Sequence, residues 1–280
     1  MDALIVAIIG PGVMGEALTA GLLRTGMVTP ERLLVSGPQI ARVEFLRDRF
    51  GIQPYTDNAA AACQADIVLL AVKPQRLKAV LTGLHGRIRP DALVLSIVAG
   101  ATIQKISDGL GHRAIVRSMP NTPAQIGEGI TVWTASAEVL PEQLHLAEQV
   151  LNAIGQHVFL ADESYLDMAT ALSGSGPAYV FMFVEAMIDA GVHLGFPRRI
   201  AEQLVIATLR GSVDYYISKK DHPAQLRNEV TSPAGTSAAA LYYLEKAGFR
   251  TAISRAIWAA YERSQELGRG KDSQAPDNNS

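Results

Sequence analysis

A single cysteine, Cys63, leaves the chain no internal disulfide, which suits a reducing compartment. Within "AAACQAD" it reads as a small buried apolar residue. Charge of either sign is scarce as a surplus: 25 Lys+Arg against 27 Asp+Glu gives a net charge of −2. That balance offers no global attraction for a nucleic acid or an anionic membrane. No apolar run approaches the roughly 18 residues of a bilayer span. The N-terminal "ALIVAIIG" is short and has no basic flank, so it does not read as a secretory signal. The expected location is therefore the cytoplasm. The six histidines, His85, His112, His145, His157, His193 and His222, form neither HxxxH nor HExxH, so no metal site is expected. No GxSxG nucleophile elbow is present either; "SGSGP" (173–177) lacks the spacing and a preceding strand, and reads as close helix packing with a Pro-induced break.

What is present is core-forming sequence: 48% of the 280 residues are hydrophobic and 19% charged, enough for one large or two modest domains. The first half alternates short apolar runs with helical patterns. Leu4–Ile9, Leu33–Ser36, Ile67–Val72, Leu93–Val98 and Ala114–Met119 read as strands buried on both faces. Met14–Thr25, Ile40–Phe50, Gln75–His85 and Ile103–Leu110 read as helices between them. Such alternation predicts an α/β, doubly wound Rossmann-type sheet. "ITVWTA" (130–135) and "QHVFLA" (156–161), flanking a helix Pro141–Ala153, complete it.

After Asp162 the strands stop, so residues 1–162 are expected to form the nucleotide-binding domain and 163–267 an all-α domain. Helices are expected over Glu163–Leu194 (interrupted at "SGSGP"), Pro197–Ile217, Ser237–Ala247 and Arg250–Leu267. Runs such as "AYVFMFVEAMIDAGV" are apolar nearly all round, which marks a buried helix. One small domain cannot hide several, and an obligate homodimer is expected. Gly268–Ser280 is polar and aperiodic and reads as a disordered tail.

"IIGPGVMG" places Gly10, Gly12 and Gly15 in a GxGxxG that follows a strand and opens a helix. This is the context in which a dinucleotide pyrophosphate rests on a helix N-terminus. An NAD site ends strand two with Asp or Glu for the ribose 2′-hydroxyl. Here the strand ends in Ser36-Gly37 and the first acid is Glu44. Small polar residues with Arg42 nearby leave room for a 2′-phosphate, so NADP is expected, although an arginine on a surface helix is also commonly just solvated. "LLAVKPQ" ends another strand with Lys73-Pro74 at the cofactor edge; an exposed lysine is the competing reading. "SMPNTP" (118–123) is a similar strand end, where Asn121 offers an amide.

The stretch "NEVTSPAGTSAAAL" (228–241) is small, polar and uncharged after Glu229. Pro233 and Gly235 shape a turn, and a helix begins at Ser237. The open amides of Gly235 to Ser237 then form a receptor for a small anion such as a carboxylate. Ser232, Thr236 and Ser237 can add hydroxyl hydrogen bonds. An ordinary Ser/Thr helix cap is the alternative.

Dehydrogenases that resemble 6-phosphogluconate dehydrogenase use a lysine in the first long helix of domain two, but this chain has none between Lys105 and Lys219. The chain instead resembles pyrroline-5-carboxylate reductases from Leu4 to about Leu267. "IIGPGVMGEAL", "LLAVKPQ", "SIVAGAT", "MPNTPAQIGEG", "ALSGSGPAYVF" and above all "HPAQLRNEVTSPAGTSAAALYYLEKAGFR" carry the resemblance. It implies NADPH-linked reduction of L-Δ1-pyrroline-5-carboxylate to L-proline, the last step of proline synthesis, with NADH as the second candidate donor. It implies a helical domain that dimerises, often with dimers assembled into rings such as decamers.

Carried over, the resemblance puts the dinucleotide on Ile9, Gly10, Pro11, Gly12, Val13 and Met14. Adenosine-side contacts fall on Ser36, Gly37 and Asn58. Ala71, Val72, Lys73 and Pro74, with Ile97, Val98 and Ala99, lie along the nicotinamide half. The substrate carboxylate falls to Val230, Gly235, Thr236 and Ser237, beside the hydroxyl of Ser232. Ser237 is the candidate partner of the imine nitrogen. The family pattern has threonine at the position of Ser237, and often glycine at that of Ala234. Alanine is tolerable there provided that the backbone does not need a positive φ. A reductase of a related cyclic imine acid, such as piperideine carboxylate, and a non-catalytic NADP-binding protein are the other classes weighed.

Overall fold

The computed structural model describes residues 4–269. One sheet holds β1 (Val6–Ile9), β2 (Leu33–Ser36), β3 (Gln53–Tyr55), β4 (Ile67–Leu70), β5 (Leu93–Ser96), β6 (Ile115–Met119), β7 (Gly129–Ala135) and β8 (Gly155–Phe159). Their spatial order is β3-β2-β1-β4-β5-β6-β7-β8. All neighbouring pairs are parallel except β6 and β7. The expected α/β architecture is thus present. Strands end earlier than the apolar runs suggest: β4 stops at Leu70 and β5 at Ser96, where the chain turns into the crevice. β8 begins at Gly155 and stops at Phe159, short of the expected 161. β3 was not foreseen, because it is three residues long and contains Pro54. As an edge strand it tolerates the missing N–H.

The period of two in the strands sorts their residues onto two cores. Val6, Ile8, Leu33, Val35, Ile67 and Leu69 face α1 (Val13–Arg24), α2 (Ile40–Phe50) and, further along, α6 (Pro141–Asn152). Ala7, Ile9, Leu34, Val68 and Leu70 face α3 (Asn58–Ala62), α4 (Pro74–Leu84) and α5 (Ile103–Leu110). Burial on both faces explains why the strands read as unbroken apolar runs. Cys63, expected to be buried, is exposed at the C-terminal cap of α3; its buried neighbours Ala61 and Ala62 carry that helix's contacts.

The chain divides into two compact units: residues up to Ser175 together with those from Ala259 onward, and Gly176–Trp258. In the first, a helical run through α7 (Tyr165–Ala169) and a π-helical turn, Thr170–Gly174, follows the sheet. Arg117 of β6, almost wholly buried, anchors it, donating to Glu163 at 2.8 Å and Asp167 at 3.1 Å. Ser264 Oγ also donates to Asp167, at 2.8 Å, which ties down the end of the last helix.

The second unit contains α8 (Gly176–His193), α9 (Arg198–Lys219), α10 (Pro223–Glu229), α11 (Thr236–Lys246) and the first half of α12 (Phe249–Gly268). α10 was not foreseen: it is a single short run whose start rests on Pro223 and a His222 cap. The unit's buried core is only Ile188, Ala201 and Val205, while Phe181, Met182, Ile217 and Tyr243 are each more than 60% exposed. By length and composition the helical run Tyr165–His193 would suffice to cross a membrane, contrary to the expectation that no run qualifies. Most of its apolar surface is unburied within one chain. Of the tail expected from Gly268, Gly268 closes α12, and residues 270–280 lie outside the described residues.

Candidate active site

Strand order reverses direction around β1 and β4, and the carboxyl ends of such neighbours open a crevice. A cleft of about 780 Å³ lies there. Gly10, Pro11, Gly12, Val13 and Met14 line it from the β1–α1 turn, and Ser36 and Gly37 from the end of β2. Asn58, Ala71, Val72, Lys73, Pro74, Ile97 and Ala99 also line it. Of the expected cofactor residues, Ile9 and Val98 do not line it; both are buried in the core beneath. Pro38, Thr56, Arg76, Ala79 and Val80 line the cleft as well. They escaped the sequence because four of them follow the unforeseen β3 or lie along α4, away from any motif.

The turn is shaped for a dinucleotide. Gly10 has φ +113°, and a Cβ there would meet the carbonyl oxygen of Ala71 at 2.6 Å. Gly12 is different: φ is an ordinary −75°, and a Cβ would meet nothing within 4 Å. The protein itself does not require glycine at 12. A group lying on the backbone in the cleft would, and the first-turn amides of α1, which have no side-chain cap, can bind its phosphate oxygens.

At the far end, Ser36 Oγ donates to Asn58 Oδ1 at 2.7 Å. No carboxylate lines the cleft among the described residues. Arg42, the arginine the sequence offered for a 2′-phosphate, is otherwise engaged. Its Nε donates to the Pro11 carbonyl at 2.7 Å, and its Nη2 pairs with Glu16. Glu16 also holds Arg49. Lys73 sits at the N-terminus of α4, exposed and lining the cleft. Asn121 does not serve the cleft: its Oδ1 accepts the Ile130 N–H at 3.0 Å.

The 228–241 stretch forms a turn followed by α11. The Gly235 N–H donates to the Ser232 carbonyl at 3.0 Å. With Pro233 second and Ala234 at φ +60° third, this is a type II turn, whose third position favours glycine. The condition attached to Ala234 is therefore not met: the position does need a positive φ. At Gly235 a Cβ would lie 2.5 Å from Ser232 Oγ. Gly235 is the N-cap of α11 and no side chain caps it, so the Ser/Thr-cap alternative does not apply here. Thr236 and Ser237 begin the helix with their amides open, whereas the Gly235 amide, expected to be open as well, is taken up by the turn's own hydrogen bond. Val230 caps the end of α10 and is 67% exposed. Ser232 and Thr236 are exposed and Ser237 half-buried. Thr231 Oγ1 donates back to the Arg227 carbonyl at 2.6 Å, fixing the approach to the turn. The result is a small, uncharged turn that leaves amides open at the start of α11.

Comparisons with known proteins cover both halves of the chain. A family model described as pyrroline-5-carboxylate reductase dimerisation matches residues 163–267. One described as NADP oxidoreductase coenzyme F420-dependent matches residues 5–100. The pyrroline-5-carboxylate reductase of Synechocystis is 45% identical over 263 residues, covering 94% of this chain and 97% of that protein. That of Escherichia coli is 38% identical over 94% of this chain and 97% of its own length. A crystal structure of the Plasmodium falciparum pyrroline carboxylate reductase with NADP bound superposes with a TM-score of 0.87. It is 33% identical and covers 96% of this chain and 99% of that one. With relatives this similar over nearly its whole length, the chain belongs to the pyrroline-5-carboxylate reductase family.

Proposed function

We propose that the protein reduces L-Δ1-pyrroline-5-carboxylate to L-proline with NADPH, the closing step of proline synthesis. The observation that carries this is the pairing, in one chain, of a dinucleotide turn whose Gly12 leaves open space with uncapped amides at Thr236 and Ser237 in an uncharged turn.

When bound, the dinucleotide supplies the hydride for the C=N carbon. The chain's residues bind and orient. The amides of Thr236 and Ser237 hold the substrate carboxylate, with Val230, Ser232 and Gly235, whose own N–H is spent on the Ser232 carbonyl, bordering them. The neutrality of this loop leaves selection of the anion to backbone donors. Ser237 Oγ hydrogen-bonds the imine nitrogen, which must carry a proton for its carbon to accept hydride. A serine hydroxyl is a poor acid, so its part is positioning. Gly10 to Met14, Ser36, Gly37, Asn58, Ala71 to Pro74, Ile97 and Ala99 hold the cofactor, with Ile9 and Val98 packed in the core beneath them.

The division of labour proposed is a nucleotide-binding domain at 1–162 and a substrate and dimerisation domain at 163–267. The scarcity of buried residues in 176–258 supports a homodimer in which a second copy covers the apolar helices; assembly of such dimers into a decamer is proposed on the family resemblance alone. The cytoplasm is the proposed location. Turnover of pyrroline-5-carboxylate against its six-membered homologue, piperideine carboxylate, tests the substrate. Proline formed one for one with NADPH consumed is expected; preferential reduction of the six-membered ring would contradict the assignment.

A further inference from the structure

We infer that Arg76, not Arg42, is the residue that reads the adenosine 2′-phosphate and sets the preference for NADPH over NADH. The inference rests on the NADPH reading above and deepens it.

Two side-chain cations line the cleft, Lys73 and Arg76, and no acid does among the described residues. Arg42 is absent from that lining, and Glu16 neutralises it. Arg76 lies in the first turn of α4. That helix packs against α3, whose first residue, Asn58, is bonded to Ser36 at the end of β2. Ser36, Pro38, Thr56, Asn58 and Arg76 all line the cleft, and the packing of α3 on α4 is what assigns Arg76 to the end marked by Ser36 and Asn58. This is the end at which a Rossmann sheet places the adenosine ribose. The pyrophosphate has its own donors in the first turn of α1, so it does not need Arg76. Among the described residues no carboxylate or carbonyl accepts from the Arg76 guanidinium. A planar, permanently charged fork left unpaired on a cleft wall matches a phosphate dianion, which it can hold through two parallel hydrogen bonds. A ribose 2′-hydroxyl gives it no such partner.

Calorimetric titration of the intact oligomer with adenosine 2′,5′-bisphosphate and with adenosine 5′-monophosphate tests this without relying on turnover. The wild-type protein should bind the bisphosphate more tightly. Arg76→Leu should weaken the bisphosphate about 10-fold or more, the scale of a lost charge-assisted pair, and leave the monophosphate within about 2-fold. Arg76→Lys should retain part of the difference. In turnover, Arg76→Leu should raise KM for NADPH by the same factor and KM for NADH by much less. Equal weakening of both fragments would make Arg76 an adenine-stacking residue and overturn the proposal. Undiminished discrimination in Arg76→Leu, or its loss in Arg42→Leu instead, would overturn it while leaving the NADPH reading intact. A wild-type protein that does not discriminate at all would overturn both.

Discussion

Ser36 Oγ donates a 2.7 Å hydrogen bond to Asn58 Oδ1, joining the end of β2 to the start of α3 through a neutral pair. An NAD enzyme keeps a carboxylate at this strand end for the ribose diol. Ser36→Asp should therefore move the cofactor preference toward NADH. KM for NADPH should rise about 10-fold or more through like-charge repulsion with the 2′-phosphate, while KM for NADH holds or falls. Steady-state kinetics with both cofactors checks this. The next residue cannot take the acid, since a Cβ at Gly37 would overlap the Pro11 ring. Gly37→Asp should lower the melting temperature without switching preference.

Ser237→Ala should lower kcat/KM roughly 10-fold or more, about 1.4 kcal/mol of transition-state binding. The loss is expected at neutral pH with saturating NADPH. Ser237→Thr restores the hydroxyl with a stiffer rotamer and should match or exceed the wild type. Wild-type rates in the alanine variant would remove Ser237 from the chemistry.

Ala234 holds φ at +60°, where an L side chain costs on the order of 1 kcal/mol relative to glycine. Ala234→Gly should raise the melting temperature slightly or leave it level, as the relief is partly offset by unfolded-state entropy. It should also tighten KM for the imine. Ala234→Val, a β-branched residue at the same angle, should do the reverse.

His112 is buried and donates Nε2–H to the Ala92 carbonyl at 2.8 Å. Burial pushes its pKa below the usual histidine value, against a smaller upward pull from that hydrogen bond. The folded state thus takes up the proton less readily than the unfolded state. The stabilisation is present above about pH 6.5 and is lost as pH falls through the depressed value. His112→Gln should flatten the decline in melting temperature on the acid side of 6.5, over no more than one proton's worth of slope.

These outcomes also mark what could be read from the residues alone. Apolar runs gave β1, β2, β4, β5 and β6, because burial on both faces leaves no alternation to confuse them. The same criterion passed over β3, where Pro54 sits on an edge, and with it the local route to Thr56 and Asn58; Asn58 was reached by resemblance. The two arginines show a second limit. Arg42 looked available because Glu16, which neutralises it, is 26 residues away in sequence. Arg76 looked unremarkable because nothing in "KPQR" says that α3 brings Asn58 beside its helix. The turn and helix start at 233–237 followed from Pro, Gly and small residues in order, whereas the positive φ of Ala234 and the use of the Gly235 amide within the turn needed the turn itself.

The most direct measurement is absorbance-monitored NADPH oxidation by the purified protein with pyrroline-5-carboxylate, beside a matched reaction with NADH. The account predicts rapid oxidation with NADPH, slower oxidation with NADH, and accumulation of proline. No oxidation with either cofactor, from protein shown to bind the nucleotide, would contradict it.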